Sequence, residues 1–227
     1  MFFDFYYLIL VVPAILLSLW AQTRVTSTYQ RYSRVMSRSG YTGAQIARRI
    51  LDENGLTDVS IEAIDGELTD HYDPRTRVVR LSRDVYFGGS VASLGVAAHE
   101  TGHAVQHAEG YFPLQIRTAI IPVTNFGAKL SMPLLLLGFF LGIDSLVSIG
   151  ILLFSLMTVF QFITLPVEFN ASTRAMDTLS SGVLTDDELD GTRQVLSAAA
   201  LTYVAALLVS AMQLLRLILV FGNRRRR

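Results

Sequence analysis

"LVSIGILLFSLMTVFQFITL", residues 146–165, contains no charged side chain. A helix needs about 20 mostly apolar residues to cross about 30 Å of hydrocarbon, and this run meets that length. It identifies a membrane protein, and the flanking sequence repeats the signal. Immediately before it, "TAIIPVTNFGAKLSMPLLLLGFFL" at 118–141 forms a second span, joined by the short connection "GIDS", which has no Lys or Arg. Asn125 and Lys129 interrupt that span. Its first turns are expected outside the hydrocarbon, with Lys129 snorkelling toward a headgroup. Beyond this the sequence assigns Lys129 no role.

Two further spans lie near the ends of the sequence. "FFDFYYLILVVPAILLSLW", 2–20, is apolar with aromatics at both ends. No Lys or Arg precedes its apolar run and no small-residue cleavage site follows it, so it reads as a retained anchor and not as a signal peptide. "AAALTYVAALLVSAMQLLRLILVF", 198–221, is the fourth, with Arg216 near its end and "GNRRRR" after it. The whole composition agrees. Of 227 residues, 51% are hydrophobic and only 17% charged, and mean hydropathy is +0.42, high for a soluble protein. Net charge is zero, which gives no reason to expect a nucleic-acid partner. There is no cysteine, so disulfides, thiolate metal sites and a cysteine nucleophile are excluded together. Any bound metal must take nitrogen and oxygen ligands.

The segment between the first two spans is polar and reads as a small mixed fold. "TGAQIARRILDENG", 42–55, is an amphipathic helix stopped by Gly55. "VSIEAID", 59–65, alternates like a strand. "ELTDHYDPRTRVVRLS", 67–82, reads as two extended pieces about a turn at Asp73 and Pro74. A helix is expected from Asp84 to Ala108, rich in small residues that allow close packing. The expected organisation is an anchor over 1–22, a polar segment with a small sheet over 23–117, a transmembrane hairpin over 118–165, a helical segment over 166–197, and a last span with basic tail over 198–227. The class is a mainly α membrane protein of about four transmembrane helices, with a small α+β segment between the first and second spans.

That expected helix carries "AAHETGHAVQH", 97–107, with three of the four histidines of the chain. His99, Glu100 and His103 spell H-E-x-x-H. Positions i and i+4 share a helix face one turn apart, so both imidazoles can reach one cation. Glu100 lies near that face and can take a proton from a metal-activated water without being a ligand. Chance occurrence of the pattern is disfavoured, because a charged cluster on an otherwise apolar helix is costly without a partner.

A catalytic zinc needs a third protein ligand and one open position. Glu109 stands where metzincins place theirs, but Gln106 replaces the Gly that lets that chain turn back. His107 drifts off the face of His99 and His103. His71 sits alone in an extended segment, either a structural histidine or a substrate contact. Glu168, in "TLPVEFNASTRAMD" at 164–177, follows the third span directly. Pro166 can begin a helix there, with Glu168 in its first turn, where an acid also suits the helix dipole. Two crossings return the chain to the side it left, so Glu168 can meet the histidines. Asn170, Ser172 and Arg174 then stand close enough to support the ligands.

"LTDHYDP…VVRLS", "AAHETGHAVQH", "TLPVEFNASTRA" and "VLSAAALTYVAAL", in this order, resemble the YugP-type membrane zinc metallopeptidases of bacteria. The resemblance covers almost the whole chain. It implies a zinc-dependent, membrane-embedded endopeptidase of the gluzincin kind, distantly similar to HtpX-type quality-control proteases, with residues 23–117 as a small zincin-like catalytic segment. It also implies one Zn2+ held by His99, His103 and Glu168, with Glu100 as the base. Many gluzincins carry an acid four residues after the ligand Glu. Ser172 stands at that position, so the resemblance does not say which group orients the histidines.

The expected partners are the lipid bilayer and a peptide or protein substrate, itself membrane-associated. His71 or Tyr72 is expected to contact substrate or the oxyanion. The rival from another class is a non-catalytic membrane scaffold stapled by structural zinc. Structural sites, however, usually have four protein ligands and prefer cysteine. A zinc transporter would place its ligands near mid-membrane and not beside the spans. The expected location is the cell membrane, multi-pass. Arg24, Arg31, Arg34 and Arg38 follow the first span, which puts the catalytic segment in the cytoplasm by the positive-inside rule. The terminal arginines pull the other way if all four spans cross.

Overall fold

The structure, a computed structural model, describes residues 4–222. The chain enters through a π-helical turn at Tyr7–Val11 that leads into α1, Val12–Tyr32. Pro13 explains the wide turn. It has no N–H for the carbonyl four residues back, and the Val12 N–H donates to the Tyr7 carbonyl, five residues back.

Then come α2 (Gly43–Glu53), β1 (Ser60–Ile64), β2 (His71–Asp73), β3 (Val78–Ser82), α3 (Arg83–Tyr86), α4 (Val91–Ala108), α5 (Phe112–Leu141), α6 (Asp144–Ser180) and α7 (Asp186–Gly222). Among the described residues, four helices are long and apolar enough to cross a membrane: Tyr7–Tyr32, α5, α6 and α7. The basic tail that bears on sidedness lies outside the described residues.

The chain divides into two compact units. One comprises residues 1–22, 115–166 and 201–227; the other comprises 23–114 and 167–200. In the first, Leu135, Val147 and Leu217 form the buried centre. A Cβ on Gly138 would stand 2.7 Å from the Val147 nitrogen, so only glycine permits that approach of α5 to α6. Arg216 donates to Asp4 at 2.7 Å and lies over the Tyr7 ring at 5.1 Å. The guanidinium is thereby paired within an apolar unit.

In the second unit, α2 starts with a reciprocal cap. The Thr42 hydroxyl accepts from the Gln45 N–H and the Gln45 side chain accepts from the Thr42 N–H. The sheet order is β1-β3-β2, with β1 parallel and β2 antiparallel to β3. Val79 and Leu81 of β3 join Ile46 and Leu51 of α2, Leu94 and Ala98 of α4, Ala175 and Leu179 of α6, and Leu196 of α7 in one core.

Two readings of the sequence change. The helix expected over 84–108 is two helices. The chain breaks at Gly88 and Gly89, and Ser90 recaps α4 by accepting the Ser93 N–H at 3.0 Å. Pro166 does not begin a helix but lies inside α6. A proline within a long apolar helix is tolerated where neighbouring groups compensate the freed carbonyl.

Candidate metal centre

The centre is built in the second unit from α4 and the final turns of α6. Along α6 the buried positions Val167, Glu168, Ala171, Ala175 and Leu179 recur every three or four residues. This stripe turns Glu168 toward α4. On α4 the facing residue is Gly102, where a Cβ would meet the Ala171 carbonyl oxygen at 3.0 Å. The missing side chain lets the two backbones approach, and the ligands on either side of it converge.

His99 Nε2 stands 3.3 Å and His103 Nε2 3.5 Å from Glu168 Oε2. The two rings meet edge to face, with centroids 4.8 Å apart. Ligand atoms at about 2.1 Å from a tetrahedral ion are about 3.4 Å from one another. The two imidazole–carboxylate separations match that spacing, and all three ligand atoms lie within 4.8 Å of one another, close enough to share a single small cation; the donor set is the N/O set of a catalytic zinc. Glu168 is only 2% exposed. Burial alone works against charge on His103. Contact with Glu168 and the fields of Glu100 and Glu168 nonetheless hold its pKa above the ordinary value. The pocket favours positive charge, as a cation site must.

Each other candidate has a definite place. Glu109 is exposed and receives both terminal nitrogens of Arg174, at 3.1 and 2.6 Å; the ion pair holds its carboxyl below the usual range. His107 Nδ1 lies 2.8 Å from the Tyr72 hydroxyl. Tyr72 packs on the core from β2, which lies against α4. His71 takes the opposite face, paired with Arg80, and its Nδ1 is 2.8 Å from the Thr69 carbonyl. Ser172 Oγ is 3.2 Å from His99 Nδ1. Asn170 Oδ1 accepts from Arg174 Nε at 2.8 Å and from Gln106 Nε2 at 2.8 Å.

Two residues near the centre carried no signal that singled them out. Gln106 entered the sequence reading only as a departure from another family's pattern. Its carbonyl oxygen lies 2.9 Å from His103 Nδ1. Asp70 accepts from the Ser82 N–H and hydroxyl at the end of β3. Burial raises its pKa, the bonds from Ser82 oppose this, and the charge of Glu100 adds to the rise.

Residues 7–222 match the family model described as "Putative neutral zinc metallopeptidase". The chain is 52% identical over 220 residues to the "Putative membrane protease YugP" of Bacillus subtilis (strain 168), covering 96% of this chain and 98% of that protein. No solved structure matches the chain.

Proposed function

The chain belongs to the neutral zinc metallopeptidase family, and from that premise we propose that it is a zinc-dependent, membrane-embedded endopeptidase of the gluzincin kind. The observation that carries the proposal is the convergence of His99, His103 and Glu168 within 4.8 Å of one another, with Glu100 next to His99 in the chain. Three protein ligands leave one position open, which is the arrangement of catalytic and not structural sites.

His99, His103 and Glu168 would hold one Zn2+, their Nε2 and Oε2 atoms already facing one another. What zinc supplies when bound is Lewis-acid polarisation of the scissile carbonyl and a water acidified toward a pKa of about 7. Glu100 accepts the proton that the attacking water loses and delivers it to the leaving amine. Strand β2 is at the edge of the described sheet, and an extended substrate can pair with its outer side. Tyr72, whose hydroxyl pairs with His107 Nδ1, or His71 donates to the developing oxyanion. Asn170, Ser172 and Arg174 support the ligands. The substrate is a membrane-associated or unfolded polypeptide met at the cytoplasmic face, in the manner of membrane-protein quality control.

The test uses the full chain in detergent micelles with an unfolded model protein as substrate. Chelation is expected to abolish cleavage, and one equivalent of zinc per chain to restore it. A chain that binds one zinc yet cleaves nothing is the outcome a zinc-stapled scaffold predicts, and it overturns the proposal.

A further inference from the structure

We infer that Gln106 is a positioning residue that fixes the tautomer of His103, and that its own amide is aimed by Val167 and Asn170 on α6. The inference rests on the zinc reading above.

Gln106 lies one turn beyond His103 and is fully buried. Its Nε2 donates to the Val167 carbonyl at 2.9 Å and to Asn170 Oδ1 at 2.8 Å. A main-chain carbonyl can only accept, so the nitrogen end of the amide must face α6. Asn170 cannot be turned over either, because its Oδ1 also receives Arg174 Nε, which can only donate. Arg174 is in turn clamped by both oxygens of Glu109. Every donor in this chain therefore has one assignment. The oxygen of Gln106 is left facing His103 Nδ1 at 2.9 Å. An amide oxygen cannot donate, so Nδ1 must carry the ring proton. In the neutral ring the lone pair then sits on Nε2, the atom facing Glu168.

Two features make this more than one hydrogen bond among many. First, Val167 and Asn170 bracket Glu168 on α6, so a single amide fixes the ring of one ligand and the register of the helix that carries another. Second, His99 has no equivalent. Its Nδ1 is 3.2 Å from the Ser172 hydroxyl, which can donate or accept and so dictates no tautomer. The orienting role that many gluzincins give to an acid at the position of Ser172 is taken here, for His103, by an amide from α4 itself.

The test is zinc affinity of the full chain in micelles, by competition with a chromophoric chelator, together with the visible spectrum of the Co2+-substituted protein. Gln106→Leu keeps the bulk and removes the amide. It is expected to weaken zinc binding about 10- to 100-fold and to shift the cobalt bands. Asn170→Ala, which leaves the Val167 bond, is expected to weaken binding less. Asn170→Asp keeps an acceptor for both Gln106 and Arg174 and is expected to restore affinity to the parent level or above. Parent-like affinity and an unchanged cobalt spectrum in Gln106→Leu overturn the inference. Should that variant fail to fold, Asn170→Asp binding no better than Asn170→Ala overturns it. A parent chain that binds no zinc would remove the zinc reading itself, a result distinct from either.

Discussion

Glu168 reaches the centre from a distant part of the sequence, so its loss separates metal binding from the rest of the fold. Glu168→Ala is expected to lower zinc content sharply, whereas Glu109→Ala and His107→Ala are not. Glu109 faces Arg174 and His107 faces Tyr72, and neither points a donor at the three converging atoms. Metal analysis of the purified variants checks this. Asp70 offers a pH-dependent prediction. Its pKa is raised in the folded chain, first by burial and further by the charge of Glu100. A raised carboxyl pKa means that the fold disfavours the charged form. The cost is present above the folded pKa and absent below the unfolded one. Asp70→Asn keeps an oxygen for the Ser82 N–H and loses the charge. Thermal unfolding in micelles is expected to show the variant more stable than the parent at pH 7. The gain should shrink as pH falls through the carboxylate range; a gain that does not change with pH would contradict the burial argument.

Helix α4 is the element on which the centre depends, and its packing depends on glycine. At Gly102 any side chain meets the backbone of α6, while at Gly95 a Cβ would meet the Thr192 methyl on α7, at 2.8 Å. Gly102→Val is expected to push α6 outward, cost about 1–3 kcal/mol, and weaken zinc binding. Gly95→Ala crowds a neighbour that carries no ligand and is expected to leave zinc affinity near the parent value. Equal affinities in both variants would show that the α4–α6 distance does not govern the centre.

The elements also show what a sequence can and cannot reveal. The four apolar runs were legible because length and lack of charge are properties of one segment alone. So was the pairing of His99 with His103, which helix geometry imposes at i and i+4. The parallel pairing of β1 with β3 was not, since register across a crossover is written in no local pattern. The break at Gly88 and Gly89 was hidden by apolar periodicity on either side. The part played by Gln106 was out of reach for a different reason: it turns on a main-chain carbonyl of Val167, which any residue would supply.

At the scale of the whole chain, four membrane-length helices are described, and the proposed ligands come from α6 (Glu168) and α4 (His99 and His103). Four arginines trail the first span, at Arg24, Arg31, Arg34 and Arg38, and by the positive-inside rule the proposed side for the second unit is the cytoplasm. The chain has no cysteine, so single cysteines at residue 57 and after residue 227 can be labelled cleanly. An impermeant reagent on intact cells is expected to leave residue 57 unlabelled and to reach the terminal one if α7 crosses. Labelling at residue 57 would reverse the orientation. The chemistry itself stands or falls on Glu100, which is assigned to move protons and not to bind metal. The decisive measurement is zinc content and cleavage of an unfolded protein in the same preparation of Glu100→Gln. Zinc is expected to be retained at the parent level and cleavage to fall by a factor of about 100 or more. Near-normal cleavage with zinc in place would contradict that assignment.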